Sequence, residues 1–318
     1  MKKTVKIITT ITALTSLSVA TIHVINRVQF SKYRLENASS DQEEGMHEFD
    51  WKFGKIKYSV QGNGSPILLV HSLEVGSSGF EFHKIISELS KDHKVYTIDL
   101  LGYGKSEKVN MTMTNYLYVQ LLTDFINTII GKKTDILTSG QSSSLAIMLC
   151  HNEPDLINQI ICIGAQSIYQ SNLIPTKQTK WKKLLLEIPI IGTLLYHFEC
   201  TDQKIKERFT ENYYYDQTKI EDEVIKNYSS SAHSNYKQKY TYASLIGRYI
   251  NNNIIHALKE VNHNIILLYG DKTEDLATMK ENYLYYNSAI ECSEIPNTKL
   301  LPHMEDPAGT IEMIKTYL

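Results

Sequence analysis

A chain of 318 residues with a formal net charge of −2, and no Lys/Arg stripe outside its extreme N-terminus, lacks the electrostatic footprint of a nucleic-acid binder. Its 42% hydrophobic and 21% charged residues lie near ordinary globular usage, which excludes a disordered, collagenous or polytopic membrane chain. Cys150, Cys162, Cys200 and Cys292 are scattered, with no C-x-x-C and no histidines at zinc-finger spacing, so no metal site or redox motif is indicated. Cys150 and Cys162 fall in apolar runs, where a thiol acts as a small hydrophobe.

In chain order, Lys2, Lys3 and Lys6 precede an uncharged stretch from Ile7 to Ile25, and Arg27, Lys32 and Arg34 follow it. The 19 residues of this stretch nearly match the length of a spanning helix. Ser18-Val19-Ala20 also resembles the small-x-small cleavage site of a secretory signal peptide. Apolar character continues past Ala20 through Ile22, Val24 and Ile25, which favours an uncleaved membrane anchor over residues 1–29, with secretion after cleavage as the alternative. Positive charge is nearly equal on the two flanks, so the side of the membrane is not assigned. Residues 30–49 are polar, include the acidic run Asp41-Gln42-Glu43-Glu44, and read as a solvated tether.

From residue 50 to 318, short apolar runs alternate with helix-length segments, the pattern of an α/β domain with a mostly parallel sheet. The strands expected are Lys55–Val60, Pro66–Val70, Lys94–Asp99, Thr134–Ser139, Gln159–Ile163 and Ile265–Tyr269. Several are rich in Ile, Val and Leu throughout, as befits strands buried on both faces. Helix-length stretches follow at Glu81–Leu89, Tyr116–Ile130, Ser143–Cys150, Asp275–Asn287 and Ala308–Leu318. Between residues 171 and 259 the alternation lapses into a polar, Tyr-rich, helical region. An insertion there predicts a helical cap before the last strands, over the carboxyl ends where ligands bind.

Four landmarks carry a family resemblance. Pro66-Ile67-Leu68-Leu69-Val70-His71-Ser72 is a strand followed by His and a small residue, and Asp99-Leu100-Leu101-Gly102-Tyr103-Gly104-Lys105-Ser106 reads D-x-x-G-x-G-x-S. Gly140-Gln141-Ser142-Ser143-Ser144 follows a β-run and precedes an apolar helical stretch, and Leu301-Pro302-His303-Met304-Glu305-Asp306-Pro307 opens the last helix. In this order they resemble the α/β-hydrolase superfamily, from about Trp51 to Leu318. The resemblance implies Ser142 as nucleophile at a strained strand-to-helix elbow, with the backbone N–H groups of Leu73 and Ser143 as the oxyanion hole.

The remaining triad positions depart from the family. A serine needs a base, and the base needs an orienting carboxylate. At the family's acid position stands Thr273, and at its base position Leu300. Asp271, Glu274 or Asp275 could substitute as the acid and His303 or His71 as the base, given suitable geometry. Two readings stay open. One is a membrane-associated serine hydrolase acting on an ester or related acyl compound, a small and lipidic substrate, through Ser142. The other is a catalytically degenerate protein of the same fold that binds a ligand or partner. No G-x-G-x-x-G, P-loop or clustered ligand set occurs, so no cofactor or metal is expected.

Overall fold

The computed structural model describes residues 20–28, 30–31 and 45–318. Eight strands, β1 (Met46–Trp51), β2 (Gly54–Gln61), β3 (Ser65–Val70), β4 (His93–Ile98), β5 (Thr134–Ser139), β6 (Ile157–Ile163), β7 (Asn264–Gly270) and β8 (Glu291–Ile295), form one sheet ordered β1-β2-β4-β3-β5-β6-β7-β8. The β1–β2 and β2–β4 pairs are antiparallel and the five others parallel. Successive side chains of a strand point to opposite faces. Ile67 and Leu69 therefore join one core layer, while Leu68 and Val70 join the other. The first layer is closed by α1 (His83–Leu89) and the C-terminal helix Pro307–Tyr317; the second by α2 (Asn115–Phe125) and α3 (Ser142–Asn152).

All six expected strands are present. The sheet also has the edge strands β1 and β8, and β1 begins at Met46, inside the segment expected to be tether. The expected anchor falls largely on residues 1–19, outside the described residues, as does 32–44 of the tether. No helix among the described residues is long and apolar enough to cross a membrane. Residues 20–28 and 30–31 are helical, and Asn26 Nδ2 donates to the Ile190 carbonyl at 3.0 Å.

Between β6 and β7 lie α4 (Lys177–Glu187), α5 (Ile191–Glu199), α6 (Asp202–Arg208), α7 (Asp222–Ala232), α8 (Gln238–Ile246) and α9 (Ile255–Glu260). The last of these returns to the sheet, because Ala257 and Leu258 pack in the main core. Helices α4 to α8, before it, are the inserted cap segment.

The D-x-x-G-x-G-x-S landmark is a turn held by its own polar groups. Asp99 Oδ1 accepts from the Gly79 N–H and Oδ2 from the Lys105 N–H, each at 2.7 Å. Ser106 Oγ donates to the Asp99 carbonyl at 2.5 Å and accepts from the Lys57 N–H at 2.8 Å. Gly104 has a left-handed backbone (φ +48°), and a Cβ there would lie 2.2 Å from Asp99 Oδ2, so only glycine fits.

Candidate active site

In the sheet order, β3 stands between β4 and β5, so the chain leaves neighbouring strands in opposite directions and opens a crevice at their carboxyl ends. Two turns meet there, His71-Ser72-Leu73 after β3 and Gly140-Gln141 after β5. Gly140 carries the sharp bend, with φ +57° and its N–H donating to the Ile163 carbonyl at 2.9 Å. A Cβ on Gly140 would point at the Cβ of Ser72, 3.2 Å away. Helix α3 starts two residues later, at Ser142.

Ser142 therefore sits inside the first helical turn and not at the bend. It is fully buried, and its Oγ donates to the His71 carbonyl at 2.5 Å. The imidazole of His71 faces elsewhere: Nδ1 meets the Ser72 carbonyl at 2.6 Å and Nε2 accepts from the Leu100 N–H at 3.1 Å. With its one lone pair already bonded, this ring cannot take a proton from a serine. Neither nitrogen of His303 has a hydrogen-bond partner among the described residues, so none joins it to Ser142. The Ser143 N–H is engaged with the Gly140 carbonyl at 3.2 Å, in the helix's first turn. Leu73 is buried, and its carbonyl accepts from Tyr103 Oη at 3.0 Å.

The expected acids are equally displaced. Asp271 pairs with Lys272 at 2.9 Å. Burial of its carboxyl would raise the pKa, but hydrogen bonding to that lysine leads the opposing causes and the net direction is down. Glu274 is exposed and lies 3.3 Å from Lys299 Nζ, while Asp275 is the exposed, left-handed residue before the helix Leu276–Tyr286. Thr273 is buried, and its hydroxyl has no hydrogen-bond partner among the described residues. Leu300 contributes backbone: its carbonyl passes so close to Gly164 (φ +57°) that a Cβ there would lie 2.2 Å away.

A carboxylate that sequence reasoning missed lies at the centre. Glu81 is fully buried, accepts from the Ser72 N–H at 3.0 Å, from Ser72 Oγ at 3.1 Å and from Ser139 Oγ, and its Oε1 lies 3.6 Å from His303 Nε2. Desolvation pushes its pKa up, but His303 and Ser139 outweigh this and hold the carboxyl below its ordinary value. Glu81 opens the expected helix Glu81–Leu89 and looks in sequence like an ordinary helix N-terminal acid; nothing local marks it as buried. A second group outside the crevice, at the far end of α3, gathers His151, His256 and Glu260, with His151 Nε2 2.9 Å from Glu260 Oε2. These side chains have metal-ligand chemistry, and the i, i+4 spacing of His256 and Glu260 is the sequence signal for them.

The cap closes over the crevice. A Cβ on Gly76 would lie 2.3 Å from the Tyr228 carbonyl of α7, and one on Gly102 would lie 2.2 Å from Thr241 Oγ1 of α8. A cavity lined by Leu73, Glu74, Tyr103, Tyr196, Thr241 and Tyr242 measures about 10 Å³, roughly the least that one water needs.

This architecture recurs in solved structures. An epoxide hydrolase, CorEH, superposes with a TM-score of 0.70 at 17% identity over 86% of this chain and 97% of that one. The fold is that of the α/β-hydrolase superfamily. A membrane phospholipase A described as a bacterial virulence factor shares the α/β-hydrolase fold with a TM-score of 0.67 at 16% identity, covering 96% of both chains. Among curated proteins, the 2-hydroxy-6-oxo-6-(2'-aminophenyl)hexa-2,4-dienoic acid hydrolase of Metapseudomonas resinovorans is 28% identical over 118 residues. That match takes in 36% of this chain and 40% of the relative, so the chain spans less than half the length of the curated relative. No family model matches. In an α/β-hydrolase the nucleophile occupies the strained residue of the strand-to-helix turn. Here that residue is Gly140, two positions before Ser142.

Proposed function

We propose that this protein is a membrane-associated, catalytically degenerate member of the α/β-hydrolase superfamily that acts by binding a partner. The observation that carries this reading is the elbow: its left-handed residue is Gly140, which has no side chain with which to form an acyl-enzyme. Leu300 and Thr273 at the base and acid positions point the same way. A serine two residues into the helix is no replacement, because Ser142 Oγ is buried and bonded to a carbonyl, with no imidazole to activate it. The small cavity between Leu73, Tyr103 and Tyr196, with room for about one water, favours a partner that engages the outer surface. Membrane association is supported by the uncharged Ile7–Ile25 run.

The second reading, a serine hydrolase taking a small lipidic ester or related acyl substrate through Ser142, is favoured by the names of the relatives. It requires the cap and the first turn of α3 to move until His303 reaches the hydroxyl. A fluorophosphonate probe separates the two. The expected result is no labelling of the folded, full-length protein; labelling that disappears in Ser142→Ala would replace the proposed function with the hydrolase.

A further inference from the structure

Helix α4 is apolar on two sides. Thr179 and Leu186 are buried toward the cap, and Thr179 Oγ1 donates to the Gly247 carbonyl at 3.3 Å. Trp181, Leu184, Leu185 and Ile188 follow the i, i+3, i+4, i+7 spacing of a single helical stripe, yet they are 70%, 51%, 46% and 39% exposed. Large apolar side chains scattered singly on a surface need no explanation, but a continuous stripe does.

The surface extends beyond the helix. Pro189, Ile190 and Ile191 form a γ-turn in which the Ile191 N–H donates to the Pro189 carbonyl at 2.7 Å and Ile190 takes φ +67°. A β-branched residue in this region is strained, so the turn is held by its surroundings. One restraint is Asn26, which bonds the Ile190 carbonyl from the helix at residues 20–28. That helix carries exposed Val24, Ile25 and Val28, and α5 carries exposed Phe198.

Two observations identify what lies against this face. The uncharged run Ile7–Ile25 ends on the helix that is bonded to the hairpin tip, so a membrane-inserted N-terminus would deliver the α4–α5 hairpin to the bilayer surface. Around the stripe, Lys177, Lys180 and Lys182 are exposed and have no carboxylate partner among the described residues, whereas Lys183 is paired with Glu187 at 2.5 Å. Cations beside an apolar face bearing Trp and Leu are the composition of a helix lying in an anionic lipid interface.

We propose that the α4–α5 hairpin of the cap rests on an anionic lipid surface, with Trp181, Leu184, Leu185 and Ile188 below the headgroups and Lys177, Lys180 and Lys182 against the phosphates. The inference rests on the reading that the N-terminal segment reaches a membrane, and the two can fail separately. The full-length protein is reconstituted with phosphatidylcholine vesicles, with and without phosphatidylglycerol, containing bromolipid. Co-flotation reports attachment, and quenching of tryptophan emission reports docking of the cap. The only other tryptophan, Trp51, is buried on β1 with its Nε1–H on Asp124 Oδ2 at 2.7 Å, and serves as the unquenched reference.

The expected result is blue-shifted, quenched Trp181 emission in the phosphatidylglycerol vesicles, absent in Trp181→Phe. Leu184→Glu/Leu185→Glu should still co-float but lose most of the quenching; both positions are exposed, so the variant folds, as circular dichroism would verify. Co-flotation with unquenched Trp181 overturns the docking while leaving the anchor standing. Failure to co-float overturns both. Equal quenching without phosphatidylglycerol overturns the role of the lysines. An unquenched Trp181 buried instead in a concentration-dependent dimer assigns the face to a second copy of the chain and likewise overturns the proposal.

Discussion

The turn after β4 and the turn after β5 lie at the same end of the sheet, and each begins where a buried parallel strand runs out. In the first, the Asp99 carboxylate and carbonyl, the Ser106 hydroxyl and three backbone amides are joined by hydrogen bonds, and Gly102 and Gly104 let the chain and the cap close down on them. In the second, the strained residue is a bare glycine, and the nearby polar side chains, Ser72, Ser139, Glu81 and Ser142, are bonded inward to one another or to backbone. Both turns are well satisfied, but only the second should present chemistry in an enzyme of this fold, and under the proposed function it presents none. The architecture of an α/β-hydrolase is therefore separable from its reaction: the scaffold turn needs its polar contacts to exist, while the elbow needs only a residue able to adopt a left-handed backbone.

The largest effect expected from this contrast is at Asp99. Asp99→Ala strips the acceptor from the Gly79 and Lys105 amides in a buried turn, and should lower stability in urea unfolding by about 3 kcal/mol. A loss no larger than that of an ordinary surface substitution would mean that the turn is not what holds β4 to its neighbours.

How far the sequence discloses this arrangement depends on burial. The strands covered on both faces, such as Asn264–Gly270 with its buried Ile265–Tyr269, read as unbroken apolar runs and are legible. The edge strands are not: Met46–Trp51 and Glu291–Ile295 are half exposed and polar, and a strand that buries few side chains leaves little hydrophobic pattern. At the elbow the three consecutive serines 142–144 hide the register, since G-x-S-x-small fits the string beginning at Gly140. The legible signal was the glycine itself, following six strand residues. The buried partner of His303 was out of reach, because Glu81 and His303 are 222 positions apart in sequence and meet only through the fold.

A smaller and pH-dependent effect is expected on the cap side of the molecule, where His197 stacks on His233 with ring centroids 5.2 Å apart and packs against Phe30 at 4.6 Å. Neither His197 nitrogen has a hydrogen-bond partner among the described residues. Burial first, and then the neighbouring His233, lower its pKa from 6.5 to about 4. A histidine depressed in the folded state protonates in the unfolded chain first, so the stability of the neutral form is present above 6.5 and is lost as pH falls toward 4. Allowing for partial solvent screening, the loss should be about 2 kcal/mol. Thermal melts at neutral and acidic pH would measure it, and His197→Phe should flatten the difference; an unchanged slope would locate the acid sensitivity elsewhere.

The smallest effect is the most informative. Ser142→Ala removes one buried hydroxyl that donates to the His71 carbonyl. If that hydroxyl is a structural donor, the substitution costs about 1 kcal/mol in urea unfolding, the net value of a single hydrogen bond. A reactive nucleophile would behave in the opposite way. Serines poised for attack are held in strained, underbonded positions, so removing one leaves stability untouched or improves it while abolishing turnover. The sign of the stability change therefore discriminates without any knowledge of a substrate. A modest loss keeps Ser142 in the same class as Ser106, a serine that ties helix or turn to a neighbouring carbonyl. A gain in stability would return the elbow to the side of chemistry and erase the contrast between the two turns.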